Sequence, residues 1–180
     1  MKVDIKNTFK TIYEKESDSI FRFCIVRVSD REQAIDITQE TFLRLWQNLS
    51  EDKEIRNTRA FLFTIAHHLV IDWYRKKKSI PFKDIKDKSY EDEEESSYDP
   101  SDENTAESLE VEAEGRYLLN KINELTPAHR QPVYLRFVED LSPGEIGEIL
   151  GISANAASVR INRGLLELRE KSGFNNKEDK

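Results

Sequence analysis

The chain has 180 residues, 37% hydrophobic and 35% charged, which suits one medium or two small domains with modest cores rather than one large enzyme core. Its net charge of −7 argues at first against a nucleic-acid partner, but residues 1–78 hold 15 Lys+Arg against 12 Asp+Glu, residues 79–115 hold 3 against 14, and residues 116–180 hold 10 against 9, so the acidity belongs to the middle. The single cysteine, Cys24, excludes an internal disulfide, and no apolar run is long enough to suggest a signal peptide or a membrane span, so a soluble, cytoplasmic protein is expected.

Residues 5–28 place Ile5, Phe9, Ile12, Tyr13, Ile20, Phe23 and Cys24 at helical spacing, with a break expected near Ser17. Cys24 sits in an apolar stretch and is expected to be a buried, inert thiol. Ser29-Asp30-Arg31-Glu32 reads as a capping box with Ser29 as N-cap. The helix behind it lines one side with Ala34, Ile37, Thr41, Leu45 and Leu49, while Phe42 and Trp46 broaden the stripe. A polar loop, Ser50 to Asn57, precedes a third helix from Thr58 to about Lys77. That helix carries Phe61, Leu62, Ile65, Ala66, Leu69, Val70 and Trp73, and ends in Arg75-Lys76-Lys77-Lys78, cations suited to a helix C-terminus.

From Ser79 to Gly115 the pattern dissolves, with Pro81, Pro100 and the acidic run Tyr90 to Asp99 predicting a flexible linker. A helix is expected to resume near Ser108 and to run through Leu118, Leu119, Ile122 and Leu125. Thr126-Pro127 opens another by the cap-plus-proline signature. Pro132 falls inside it and should bend it or shift its start, at roughly 3 kcal/mol if truly interior.

The stretch Leu141 to Glu170 has the layout of a DNA-reading helix-turn-helix. Ser142 is the N-cap, Pro143 the first helical residue and Glu145 the capping partner; Ile146, Ile149 and Leu150 share one side. Gly151 supplies a left-handed turn, Ile152 plugs it, and Gly147 permits a close crossing. Ser153 caps the second helix, in which Ala157, Ile161, Leu165 and Leu168 are expected to pack inward. Asn155, Ser158, Asn162 and Arg163 then face outward, with amides, a hydroxyl and a guanidinium able to read base edges and hold phosphates. An ordinary helical hairpin with a glycine turn is the plain alternative.

Asp36 to Trp46 (DITQETFLRLW), Thr58 to Lys78 (TRAFLFTIAHHLVIDWYRKKK) and the C-terminal helix-turn-helix, taken in order, resemble the small two-domain sigma factors of bacterial RNA polymerase, the extracytoplasmic-function group. The resemblance spans nearly the whole chain. It implies that Asp36, Gln39, Glu40, Phe42, Leu43 and Trp46 dock on the polymerase clamp, although Phe42 reads better as core and Trp46 equally well as either. It implies that Asn57, Arg59, Phe61 and His68 lie near a pocket that opens the minus-ten element, with Arg75, Lys76, Lys77 and Lys78 on phosphates. His67-His68 departs from the family habit of a residue followed by Asn, so His68 reads equally as a base contact or as a plain helix histidine, and Trp73 reads as core. It implies that Ser153, Asn155, Ser158, Arg160, Asn162 and Arg163 serve the minus-thirty-five element. Ser158 replaces a cation common in relatives, and Gly164 inside the recognition helix costs up to about 1 kcal/mol against alanine.

The expectation is an all-α protein of two small helical domains joined by a flexible acidic linker. The N-terminal domain spans 1–78, the linker 79–115, the helix-turn-helix domain 116–174 and a polar tail 175–180. Its partners would be core RNA polymerase, promoter DNA and an anti-sigma factor, in some cases membrane-anchored. No small-molecule substrate, cofactor, metal site or catalytic residue is expected. The rivals are a stand-alone helix-turn-helix regulator and a protein-interaction module.

Overall fold

The computed structural model describes residues 4–77 and 113–171. The linker assignment over 79–112, the tail 175–180 and Lys78 lie outside them. The described residues contain seven helices and no strand, and the chain divides into two compact units between Ser89 and Tyr90. Each unit is taken by itself.

Helix α1, Ile5–Val28, contains neither glycine nor proline. Asp4 caps it, its carboxylate accepting from the Asn7 N–H at 3.2 Å. The break expected near Ser17 does not occur, because nothing there removes a backbone donor. Ser29 ends α1 in the left-handed conformation, φ 53°. That role conflicts with the expected capping box, since an N-cap needs an extended backbone. Helix α2, Arg31–Ser50, is capped instead by Asp30, which is extended and accepts from the Gln33 N–H at 3.1 Å.

Helix α3, Thr58–Lys77, runs where the apolar spacing places it. Asn57 caps it through its side-chain oxygen, 3.0 Å from the Ala60 nitrogen. Helix α1 packs along α2, and α3 closes against both. Ile20, Phe23, Cys24, Leu45, Leu62 and Phe63 are fully buried. Phe63, which lay outside the expected apolar face, meets Phe23 edge-to-face with centroids 5.3 Å apart. The Tyr74 hydroxyl donates to the Arg27 carbonyl and fastens the end of α3 to the last turn of α1. Burial pushes the Cys24 thiol up to about 12, against a hydrogen bond with Thr38 and the charge of Arg27, so it stays protonated and inert.

The second unit comprises α4 (Ala113–Asn123), α5 (Pro127–Phe137), α6 (Pro143–Leu150) and α7 (Ala154–Lys171). Thr126 precedes α5 as expected, but its side chain makes no local cap. Glu167 of α7 takes that place, accepting from the Thr126 N–H at 2.9 Å and from its hydroxyl at 3.1 Å. A carboxylate there satisfies exposed amides and complements the helix dipole. Pro132 neither stops α5 nor delays its start; it is buried within the helix, and the residues around it continue the turn.

Helix α6 carries the full capping box: the Glu145 N–H reaches the Ser142 hydroxyl at 3.3 Å, and the Ser142 N–H reaches the Glu145 carboxylate at 2.7 Å. Gly151 follows at φ 66°. A Cβ at Gly147 would stand 2.7 Å from the Ile152 carbonyl oxygen, so only glycine fits there.

In α7 the expected inward stripe is corrected at one position. Ala157 and Ile161 are buried, but Leu165 is 40% exposed and Gly164 takes the inward place. A Cβ at Gly164 would meet Val133 Cγ2 at 2.5 Å and His129 Cβ at 3.2 Å. Its absence lets α7 cross α5 closely, which offsets the propensity cost of a mid-helix glycine. Gly164→Ala should therefore destabilise this unit by about 1–3 kcal/mol through overpacking, although helix propensity alone predicts a gain of about 1 kcal/mol. Denaturation followed by circular dichroism measures it, and adding Val133→Ala should recover part of the loss.

Candidate nucleic-acid interface

The Gly164 and Gly147 crossings fix which side of α7 faces outward. Asn155, Asn162 and Arg163 are exposed, each well round the helix from Ala157 and Ile161. Ser158 is half-buried and its hydroxyl donates to the Ala154 carbonyl at 3.0 Å, leaving its lone pairs to accept. Ser153 is exposed, and its hydroxyl caps α7 by accepting from the Ala156 N–H at 3.1 Å. Arg160 is half-buried on the flank of this face, a position suited to a phosphate more than a base edge. Val159 stands exposed among these residues and escaped the sequence reading, which followed polar groups only. Its position opposite Ala157 and Ile161 on a helical wheel was the available signal.

In the first unit the candidates near the loop are not equivalent. Asn57 is exposed, with its carboxamide oxygen serving as the α3 cap. Arg59 is partly buried, 3.7 Å from the buried Glu16 carboxylate and with its guanidinium over the Phe63 ring at 5.6 Å. Phe61 is half-buried and His68 exposed. The structure thus gives Arg59 an internal ion pair that the sequence reading did not anticipate, because Glu16 is distant in sequence.

At the end of α3, Lys76 and Lys77 are exposed, and Arg75 is half-buried beside Asp72 at 3.9 Å. The Lys77 ammonium lies over the half-buried Trp73 ring at 4.8 Å. His67, adjacent to His68, is buried. Burial, with Arg27 and His68 adding positive charge, pushes its pKa down to about 3.

Helix α2 offers a second surface. Asp36, Gln39, Leu43 and Trp46 are exposed, and the half-buried Glu40 pairs with Arg44 at 2.8 Å. Phe42 must be removed from the surface set. It is 3% exposed, with the Tyr13 and Phe9 rings 4.8 and 6.3 Å away. Trp46, at 38% exposure, rests edge-on against Phe9 at 5.2 Å and presents its other side outward. Tyr13, also exposed, extends this aromatic patch from α1.

Glu167 has a strongly perturbed carboxylate. Burial would raise its pKa, but hydrogen bonds from His129, Lys171 and Thr126 outweigh that and hold it at about 2. Among the described residues no group of three or more His, Cys, Asp or Glu is placed to hold a metal ion. No described helix is long and apolar enough to cross a membrane.

Residues 12–80 match the Sigma-70 region 2 family, and residues 122–170 match the Sigma-70, region 4 family. The ECF RNA polymerase sigma factor SigW of Bacillus subtilis (strain 168) is 31% identical over 169 residues, covering 92% of this chain and 89% of that protein. The RNA polymerase sigma factor YlaC of the same organism is 27% identical over 165 residues, 92% of each chain. The fold is like that of the sigma factor RpoE solved with the anti-sigma factor NepR from Bartonella quintana, with a TM-score of 0.64, 18% identity, and coverage of 94% of this chain and 99% of that one.

His67 and Glu167 each carry a pH signature. His67 binds a proton near pH 6.5 when unfolded and near 3 when folded, so the unfolded chain holds more protons in between and stability falls as pH drops through that window. The first unit should lose about 2 kcal/mol between pH 7 and pH 5 from this residue, and His67→Leu should flatten the slope. Urea titrations followed by tryptophan fluorescence test it, because Trp46 and Trp73 both lie in this unit. The stability that Glu167 confers is present above pH 4.5 and is lost as pH falls toward 2, so Glu167→Gln should flatten the second unit's profile in that lower window.

Proposed function

Because the chain belongs to the extracytoplasmic-function sigma factors of bacterial RNA polymerase, we propose a division of labour between its two helical units. A sigma factor is a transcription initiation factor: it binds core polymerase and directs it to specific promoters, while the bond-making chemistry belongs to the polymerase. The N-terminal domain, assigned to 1–78, binds the polymerase clamp and opens the minus-ten element. The C-terminal domain, assigned to 116–174, reads the minus-thirty-five element. The chain acts in the cytoplasm beside its polymerase and carries out no reaction of its own.

The observation that carries this reading is the outward face of α7. A capped helix-turn-helix presents Asn155, Asn162 and Arg163 away from the packed stripe, and these are groups that form paired hydrogen bonds with base edges or phosphates. Ser153, Ser158 and Arg160 flank them. Lys76 and Lys77, with Arg75 behind, suit phosphates beside the minus-ten element, and His68 is the exposed base-contact candidate there. Asn57, Arg59 and Phe61 shape that end of α3, with Arg59 acting from its pair with Glu16.

Asp36, Gln39, Glu40, Leu43 and Trp46 make the polymerase surface, an aromatic anchor and an aliphatic one among hydrogen-bonding groups. Phe42 supports it from beneath. The relative RpoE was solved with an anti-sigma factor, and we propose that a protein of that class holds this chain inactive by covering the same surfaces.

Two substitution pairs separate the surfaces. Asn155→Ala with Arg163→Ala should abolish promoter binding while core polymerase binding persists. Gln39→Ala with Trp46→Ala should weaken polymerase binding by tenfold or more, as loss of a tryptophan anchor does (about 2 kcal/mol), and leave the second unit intact. Gel shifts with and without purified core enzyme read both. A stand-alone regulator would shift its operator without polymerase, and an interaction module would shift no DNA at all; either result would sink this assignment.

A further inference from the structure

We propose that Val159 is a base-reading residue that recognises the 5-methyl group of a thymine in the upstream promoter element. This inference rests on the assignment of α7 as the recognition helix. The buried positions of α7 are Ala157, Ile161 and Gly164, with Leu168 partly covered. At 100° per residue, Val159 lies about 170° from the middle of that stripe. It thus points away from the protein body, as Leu166 does two turns further along the helix, and it has Asn155 and Asn162 to one side and Arg163 to the other. It is 39% exposed in the second turn of α7, the part of a recognition helix that reaches base edges.

An exposed valine needs no explanation on most surfaces. In the N-terminal turns of α7 this one lies between the amides of Asn155 and Asn162 and the guanidinium of Arg163, with the other exposed apolar side chains of the helix, Leu165 and Leu166, further along it. When that face enters a major groove the isopropyl group is desolvated, and its polar neighbours do not provide an apolar partner. The groove itself displays one apolar group, the thymine methyl. A donor or acceptor on an adenine, guanine or cytosine edge set against Val159 would lose its water and gain no hydrogen bond. The valine therefore both favours thymine and disfavours the alternatives, whereas Asn155 and Asn162 remain free to read hydrogen-bonding edges beside it.

The test leaves the protein unchanged in its first arm. Holoenzyme assembled from core polymerase and the full chain selects a promoter from a randomised duplex library. Each thymine of the upstream element, on either strand, is then replaced singly by deoxyuridine, which removes only the methyl group. Binding should weaken about fourfold at one position, the effect of exposing one buried methyl-sized group, and stay unchanged elsewhere. Holoenzyme carrying Val159→Ala should bind the thymine duplex about fourfold more weakly and no longer distinguish thymine from uracil at that position. The proposal is overturned if deoxyuridine is tolerated at every upstream position, if the selected element lacks thymine on both strands, or if Val159→Ala keeps the full discrimination. An Asn155→Ala control separates the layers. If it loses binding while uracil has no effect, only the Val159 assignment fails; if neither it nor any base change in the upstream element matters, the assignment of α7 itself is wrong.

Discussion

Close backbone approach at two positions without a Cβ determines where the recognition helix lies. Gly147 lets the backbone of the turn press to within 2.7 Å of where its Cβ would be, and Gly164 lets α5 press Val133 to within 2.5 Å of the same point on α7. The first contact fixes α7 against α6, and the second fixes it against α5. Interiors packed to crystal density transmit such constraints, because a neighbour displaced by one methyl group has nowhere to go. With two crossings fixed, the rotation of α7 about its own axis is fixed as well. The outward direction of Asn155, Val159 and Asn162 follows from that rotation and not from any contact they make.

The first unit solves a different problem. Its loop-proximal end contains a buried carboxylate that needs a cation beside it. Glu16 is buried in the middle of α1, and Arg59 reaches it from the first turn of α3 while stacking on Phe63. A half-buried pair of this kind adds little net stability, but removing Arg59 leaves the buried Glu16 carboxylate without its guanidinium. The pair ties the start of α3 to α1. The Tyr74 contact with the Arg27 carbonyl ties the other end of α3 to the same helix. Helix α3 is thereby held at both ends, and His68 and the terminal lysines project from a braced rod.

What was legible in the sequence was local. The capping box of α6 uses Ser142 and Glu145, three residues apart, and the left-handed Gly151 stands alone between two apolar runs, so both features are written within one window. The α5 cap is not, because its carboxylate comes from Glu167, 41 residues beyond Thr126. The same holds for Glu16 and Arg59. The choice of Ser29 over Asp30 as N-cap failed because both residues can cap, and the end of α1 had already claimed Ser29 for a left-handed turn. The choice of Leu165 over Gly164 failed because spacings of four, four, three and of four, three, four fit a helix equally. Side-chain hydrophobicity then voted for leucine, while the space available against α5 admits only glycine.

The charge distribution explains why such a protein would work through a larger partner. Residues 1–78 carry a surplus of three positive charges and residues 116–180 a surplus of one. Phosphate neutralisation supplies most of the sequence-independent affinity for a duplex, and a unit with few surplus cations releases few counterions. Neither unit alone is then expected to hold DNA firmly at physiological salt. Base-edge contacts, in general, supply discrimination more than affinity. Two weak readers joined to one polymerase would turn the second encounter into an intramolecular one. On the proposed reading, modest surface charge would make promoter choice conditional on polymerase. A more basic α7 would grip DNA without it, at the expense of the distinction between one box and another.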